Sequence, residues 1–160
     1  QCLLVRFLSE NLPGMHVESE FGLTGMMRYV PGQNPRQRRA PAPRPDYAIK
    51  RNGRVLALLD AKYRDLWETT LPRDMLYQLT VYALSQPRGA TAAILYPAID
   101  AGARSSLIEI FEPTSGASAG YVAMRPVLLG KMVRMIDAEL PAGVAMRQCW
   151  AAELAGISNC

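Results

Sequence analysis

Cysteine and histidine are scarce in this sequence. The 160 residues include three cysteines, Cys2, Cys149 and Cys160, and one histidine, His16. The cysteines form no CxxC pair and no even-numbered framework, so the sequence predicts free thiols in a reducing cytoplasm rather than a zinc site or a disulfide scaffold. A single histidine at a predicted strand edge is typical of an ordinary surface residue.

Long hydrophobic runs are also absent. No apolar stretch approaches the ~20 residues needed to span a bilayer, and the apolar start is interrupted by Arg6 too early for a secretory signal peptide. We therefore expect a cytoplasmic protein without membrane association. The sequence has no GxxxxGK(S/T) phosphate loop, so any nucleotide-driven motor would belong to another chain. Because the chain begins without methionine, we predict that it is either a fragment of a longer protein or shortened relative to one.

Acidic residues are rare in the most basic part of the chain. Ten of the 18 lysines and arginines lie between Arg28 and Arg64, where Asp46 and Asp60 are the only acids. A positive zone around two carboxylates suits a polyanionic substrate. The alternative is a solvated loop surface, and the net charge of +4 does not decide between the two.

The pattern of apolar, glycine and proline residues predicts a mixed α/β fold. Helices are predicted over residues 3–12, 69–85, 121–140 and, more weakly, 144–160, and strands over 16–29, 46–62 (a hairpin), 91–96 and 106–111. Residues 31–45, with five prolines and four arginines, are predicted to form an irregular, exposed connection. The order of these elements indicates a small mixed central sheet flanked by helices, in one domain over residues 1–160.

Two aspartates lie at the open end of the predicted hairpin. Asn52-Gly53 is a strong turn signal that permits a two-residue or a three-residue loop. In a two-residue loop, Asp46 and Asp60 would point to opposite faces of the sheet because side chains alternate. In a three-residue loop over residues 51–53 they share one face, diagonal to each other at roughly 7–8 Å. We predict the three-residue loop; a β-bulge would be another way to restore the shared face.

Two carboxylates on one face could hold a divalent cation. Mg²⁺ prefers oxygen ligands and accepts one or two protein carboxylates together with waters. Asp46 and Asp60 would supply these, with the backbone carbonyl of Ala61, and Mn²⁺ could replace Mg²⁺. Lys62 points to the same side and could orient an attacking water or stabilise charge that develops on a phosphate. The alternative is a simple Asp60–Lys62 ion pair at a strand end.

The predicted helix after the hairpin carries a polar stripe. Asp74, Gln78 and Tyr82 are spaced at i, i+4 and i+8 and therefore lie on one side of the helix. Gln78 could hydrogen-bond a phosphate oxygen or hold Lys62, and the Tyr82 phenol could reach a nucleic-acid backbone. The alternative is an amphipathic helix whose polar residues face water.

Together, these residues resemble a known nuclease pattern. Pro45-Asp46, Asp60-Ala61-Lys62 and Gln78-x-x-x-Tyr82 resemble the PD-(D/E)XK nuclease superfamily, and the QxxxY helix is similar to that of its RecB and Cas4-like branch. A closer likeness is to the catalytic C-terminal domains of the McrC family, the nuclease subunits of McrBC methylation-dependent restriction systems. The phrases that carry it are Arg44-Pro45-Asp46, Leu58-Leu59-Asp60-Ala61-Lys62-Tyr63, residues 74–83 and Ile94-Leu95-Tyr96-Pro97.

The resemblance covers about residues 1–112 and implies a restriction-endonuclease-like α/β core that hydrolyses DNA phosphodiesters. Asp46 and Asp60 would bind Mg²⁺, Lys62 would be the catalytic lysine and Gln78 an auxiliary active-site residue. Relatives act with a GTP-driven AAA+ ring, McrB. The candidate DNA contacts are Tyr82 and five arginines: Arg36, Arg38, Arg39, Arg44 and Arg64.

The sequence departs from the family pattern on its first helix. The family often places a metal-binding glutamate there, but the corresponding position falls near Gln1 or Cys2. Glu10 is the candidate substitute, with Glu18 and Glu20 as further candidates. Two alternatives stay open: a RecB/Cas4-like nuclease, although Cas4-like proteins use four cysteines, and a catalytically silent nuclease fold that serves as a DNA-binding subunit.

Overall fold

A computed structural model describes residues 2–137 and 142–157. Its elements in chain order are α1 (Cys2–Asn11), β1 (His16–Ser19), β2 (Tyr47–Arg51), β3 (Arg54–Ala61), α2 (Arg73–Leu84), β4 (Thr91–Ala98), β5 (Ser106–Phe111), β6 (Ser118–Leu128), α3 (Leu129–Asp137) and α4 (Ala142–Ala155). The predicted mixed α/β fold, with a central sheet flanked by helices, is confirmed and is consistent with a restriction-endonuclease-like core.

The strands form one six-stranded sheet in the order β1-β2-β3-β4-β6-β5. The central strands β3, β4 and β6 are parallel, whereas the outer pairs β1–β2, β2–β3 and β5–β6 are antiparallel. β4 is apolar and largely buried, as expected for a strand covered on both faces. The carboxyl ends of β3, β4 and β6 therefore meet at one edge of the sheet, which is the edge where β3 ends in Asp60 and Ala61.

The core consists of two apolar layers, one on each face of the sheet. One layer packs α1 and α4 against side chains such as Ile49, Leu59 and Leu95. The other packs α2 against Leu58, Ile94 and the side chains that share their face. Because side chains alternate along β3, Asp60 lies on the same face as Leu58 and thus on the side covered by α2.

The prediction of a helix over residues 121–140 is wrong for its first part. β6 occupies Ser118–Leu128, and only then does α3 begin. β6 pairs with β4 on one side and with β5 on the other. The Val122 side chain of β6 is fully buried in the core layer under α2. Pro126 disfavours a helix interior and is tolerated in this strand because pairing with β5 ends at Met124. Residues 138–140 of the predicted helix lie outside the described residues.

Other elements agree with the prediction in type and differ in extent. The strand predicted over residues 16–29 ends at Ser19, because Glu20 takes a left-handed backbone conformation with φ of 53°. The chain from residue 20 to residue 46 contains no helix or strand, which confirms the irregular connection over 31–45. The final helix begins at Ala142 and ends at Ala155. In the part of the chain that the structure covers, no helix is both long and apolar enough to cross a membrane.

The prediction of free thiols is wrong for Cys149. This cysteine is disulfide-bonded in the structure. The prediction for Cys160 falls outside the described residues.

Candidate active site at the end of the β2–β3 hairpin

Asp46 and Asp60 share one face of the hairpin, as predicted, but the loop differs from the predicted one. Its loop holds two residues, since Arg51 pairs with Arg54. Asn52 and Gly53 both have positive φ, 51° and 76°, as the tight two-residue turns of hairpins require. The predicted three-residue loop is therefore wrong, because Asn-Gly satisfies the shorter turn without help from Arg51.

A β-bulge then shifts the register between Ile49 and Lys50. Lys50 pairs with Val55 and Ile49 pairs with Ala57, which leaves Leu56 without a cross-strand partner. From there the pairs run through Ala48–Leu58 and Tyr47–Leu59. One step further along the same register, Asp46 lies opposite Asp60. The bulge thus restores the shared face and places the carboxylates opposite each other rather than on a diagonal.

Asp46 is held by the backbone of the neighbouring strand. The Ala61 amide donates a hydrogen bond of 2.8 Å to Asp46 Oδ2. Pro45, just before it, is buried and has a restricted φ, so the approach of the chain to Asp46 is rigid. The Ala61 amide is the one site group that the sequence interpretation missed. Only the pairing register could have pointed to it, since alanine itself carries no chemical signal.

Asp60 is a buried carboxylate, with 3% of its surface exposed. Burial is the main cause that raises the pKa of Asp60 above its ordinary value, and the charge of Asp46 raises it further. The hydrogen bond and the positive charge of Lys62 lower it. Lys62 therefore does not fully offset the desolvation of Asp60.

Lys62 forms an ion pair with Asp60 through Nζ and Oδ2. The backbone amide of Lys62 donates to the Leu95 carbonyl at 2.9 Å, which extends the β3–β4 pairing beyond the end of β3. The ammonium group is thereby kept on the face of the carboxylates. About a quarter of the side chain, 26%, remains exposed, so the ammonium group borders solvent at the edge of the sheet.

Gln78 and Tyr82 of α2 lie next to the two carboxylates. Gln78 Nε2 donates a hydrogen bond of 2.6 Å to the Tyr82 hydroxyl. Burial is the main cause that raises the pKa of Tyr82, and the charges of Asp60 and Asp46 add to it. The phenol thus stays protonated beside both acids. Because Tyr82 is completely buried, the predicted direct contact of its phenol with DNA is not compatible with this structure.

Among the residues that the structure describes, no third acid joins the pair. Glu10 lies on α1, which packs against the opposite face of the sheet, and its carboxylate pairs with Arg6 at 2.7 Å. Glu18 accepts a hydrogen bond of 2.6 Å from Lys50 instead. Within residues 2–137 and 142–157, no group of three or more histidine, cysteine, aspartate or glutamate side chains is placed to hold a metal ion. The prediction for Glu10 is therefore wrong.

The remaining donor set fits a hard divalent cation with few protein ligands. The carboxylates of Asp46 and Asp60 lie on one face and are oxygen ligands of the kind that Mg²⁺ and Mn²⁺ accept. The desolvation of the Asp60 carboxylate is only partly offset by Lys62. A cation between Asp46 and Asp60 would reduce their mutual repulsion and offset the desolvation of Asp60. The Ala61 carbonyl, also predicted as a ligand, stays a prediction.

The predicted DNA-binding arginines lie on exposed segments that precede Asp46 and follow Lys62 in sequence. Arg64 lies two residues after Lys62, and the other four lie on the irregular connection: Arg36, Arg38, Arg39 and Arg44. All five side chains are exposed. The connection is ordered locally by paired hydrogen bonds between Asn34 and the backbone of Arg38, at 2.8 and 2.9 Å. None of the five forms an ion pair with another residue that the structure describes, so their charges face solvent.

Comparisons with known proteins show a fold likeness. No family model matches the sequence, and no curated protein does either. Among solved structures, the chain is similar to one in a refined half-complex from the tetradecameric assembly of Thermococcus gammatolerans McrB AAA+ hexamers with bound McrC. The TM-score is 0.52 and the sequence identity 24%. The match covers 91% of this chain and 30% of the other, so this chain corresponds to less than a third of its neighbour's length.

Proposed function

We propose that this chain is a metal-dependent DNA endonuclease domain of an McrC-like subunit in a modification-dependent restriction system. The observation that carries the proposal is the β-bulge, which puts Asp46, Asp60 and Lys62 on one face at the carboxyl edge of the sheet. The Gln78–Tyr82 pair lies against the same face. The motifs around these residues resemble the PD-(D/E)XK superfamily and the McrC family in particular.

In this proposal each group at the sheet edge has a separate task. Asp46, oriented by the Ala61 amide, and Asp60 hold Mg²⁺ or Mn²⁺, which would lower the pKa of a bound water and offset phosphate charge. Lys62 donates to the scissile phosphate or to the attacking water, and its partial exposure lets it follow the substrate. Gln78 is exposed to solvent next to these groups, and its hydrogen bond keeps Tyr82 in place.

The exposed arginines supply the binding of the DNA backbone. Five guanidinium groups without an acidic partner among the described residues would neutralise phosphates on either side of the cut and release counterions. Such contacts position the duplex and carry no sequence information. Recognition of a modified base therefore falls to another part of the assembly.

The proposed partner is an McrB-like AAA+ GTPase. Two observations support it: the likeness to a chain from an assembly of McrB hexamers with bound McrC, and the lack of a phosphate-loop motif in this sequence. The nuclease would then cut DNA that the ring moves or presents.

Plasmid cleavage with Mg²⁺ or Mn²⁺ tests the nuclease assignment. Wild type should cleave in the presence of the McrB-like partner, while Asp60→Asn and Lys62→Ala should lose at least ~10²-fold, the scale of a general acid–base or electrostatic contribution. Asp65→Asn is the matched control, since it removes an exposed carboxylate near Lys62 and should cleave like wild type.

Equal cleavage by wild type and Asp60→Asn would end the assignment of this site. Cleavage by the chain alone would favour a RecB/Cas4-like nuclease over the McrC-like interpretation. DNA binding without cleavage under any condition would favour the catalytically silent subunit, which the lack of a third acid among the described residues also suggests.

A further inference from the structure

A cavity lies on the face of the sheet opposite Asp60. It has a volume of about 240 Å³ and opens between the end of β6, the loop before β5, and the helices α3 and α4. Its charged lining consists of Arg104, Arg125, Lys131 and Glu153. Three cations and one acid give the cavity a net charge of +2, from +3 and −1, and none of these residues belongs to the proposed nuclease site.

Arg125 is the most informative of these residues. It follows Ala61 and Leu95 in one cross-strand row, so it lies on the face opposite Asp60, about 10 Å from Ala61 across two strand spacings. Its guanidinium donates to the Leu154 carbonyl at 3.0 Å and has no ion pair with any residue in the described ranges. Burial lowers the pKa of Arg125, and the charge of Glu153 partly counters this.

The packing holds the guanidinium in place from behind. A Cβ atom added at Gly156 would meet Arg125 Nη2 at 2.2 Å, so the chain after α4 closes tightly around this group. A partly buried guanidinium with five N–H donors and one carbonyl partner has donors left for an acceptor in the cavity. Desolvation of this charge without an anion costs free energy, and an anion bound in the cavity would offset that cost.

Of the two other cations, Arg104 is held by neutral groups, whereas Lys131 is held by an aromatic ring and one acid. Arg104 Nη1 donates to the carbonyls of Ala101 and Ala103, each at 3.0 Å. Lys131 Nζ lies over the Trp150 ring, 4.8 Å from its centroid, and 3.5 Å from Glu153 Oε2, a distance at the outer limit of a hydrogen bond. Glu153 thus offsets part of the charge of Lys131, whereas Arg104 has no acidic partner in the part of the chain that the structure describes.

We propose that this cavity binds a phosphate group. Two guanidinium groups and one ammonium group that line one cavity suit the charge of an oxyanion, and each guanidinium has N–H donors left for the oxygens of that anion. A cavity of about 240 Å³ is large enough for a phosphate group and part of the molecule that carries it. The proposal does not rest on the proposed nuclease function.

Titration calorimetry of the 160-residue chain with inorganic phosphate tests the site. Lys131→Met should raise the Kd about tenfold or more, the low end for a charge-assisted hydrogen bond. Glu153→Gln should lower it, because the only acid in the lining is removed. Arg134→Met is the matched control: it removes an exposed positive charge one turn along α3 and should leave the Kd unchanged.

Arg125→Met should abolish binding, but it also removes the partner of the Leu154 carbonyl. Its circular dichroism and thermal midpoint must therefore be compared with those of wild type. Lys131→Met and Glu153→Gln keep the proposal falsifiable if Arg125→Met does not fold, since both side chains lie on helices and carry little of the core. Equal effects of Lys131→Met and Arg134→Met, or no phosphate binding by wild type, would overturn the proposal.

A duplex-binding measurement distinguishes the two sources of the phosphate. If it belongs to a DNA backbone, Lys131→Met should reduce the slope of log Kobs against log salt by ~0.9, and phosphate should compete with the duplex. If it is free or carried by a small molecule, the salt slope should not change while calorimetry still detects phosphate. A chain that fails both arms but retains Asp60-dependent cleavage would refute this site alone.

Discussion

We predict that deletion of Leu56 leaves the residue pairs of the β2–β3 hairpin unchanged. Leu56 has no cross-strand partner, and its neighbours Val55 and Ala57 already face opposite layers of the core. After deletion of Leu56, β3 would alternate regularly from the two-residue turn to Asp60. We predict that Asp46 and Asp60 stay on one face and that the deletion variant still binds a divalent ion.

The expected change in stability is small because two contributions oppose each other. Leu56 is 39% exposed, so the deletion loses about 60% of the burial of one leucine, or ~1–2 kcal/mol. The shorter chain has one residue fewer to order on folding, which returns ~1–2 kcal/mol. The free energy of unfolding should therefore change by no more than about 1 kcal/mol, as measured by urea denaturation.

Deletion of Ala57 is the matched control, since it shortens the strand by the same amount. Leu56 would then occupy the place of Ala57, a residue that is only 3% exposed. Overpacking of this kind costs ~1–3 kcal/mol. The Leu56 deletion should thus be the more stable of the two. If it is the less stable variant, or if it loses divalent-ion binding, the pairing described for this hairpin is refuted.

Three further predictions concern the site and the core. Because burial raises the pKa of Asp60, the native state holds its proton more tightly than the unfolded chain. The free energy of unfolding in metal-free buffer should therefore fall as the pH rises from about 4 through the raised pKa. Asp60→Asn should lose this dependence in urea denaturation and exceed wild type in stability at about pH 8; an unchanged slope would mean that another group titrates. Tyr82→Phe should cost ~0.5–1.5 kcal/mol, because Gln78 loses its acceptor but remains exposed to water; a loss above that range would show a larger role for the phenol. Leu59→Ala, in the buried layer under α1, should cost ~2–5 kcal/mol in the same assay, and a neutral result would contradict the core assignment.

Local sequence signals were sufficient for the elements with strong periodicity or turn chemistry. The helical spacing before Pro13, the Asn52-Gly53 turn and the proline-rich connection each determine structure through nearby residues, and each prediction is confirmed in type. The shared face of the two aspartates was also anticipated. Its mechanism was not, because a bulge at Leu56 depends on which side chains the two core layers accept, and hydrophobic alternation near a turn does not reveal that.

β6 was predicted to be part of a helix for a different reason. Its residues alternate poorly because the strand is buried on both sides, and such a run cannot be distinguished from a buried helix by periodicity alone. Pro126 was the available signal against a helix. Likewise, Glu10 lies on the helix that was expected to carry the acid, but its carboxylate pairs with Arg6 on the exposed side of α1, which packs on the opposite face of the sheet. Tertiary packing decided both cases.

The central claim is that Asp46 and Asp60 share one divalent cation. Binding of Mn²⁺ to the chain, followed by electron paramagnetic resonance and by calorimetry, tests it most directly. We expect one Mn²⁺ per chain, lost in both Asp46→Asn and Asp60→Asn and retained in Glu10→Gln. Retention of the ion by either aspartate variant, or its loss in Glu10→Gln, would contradict the claim.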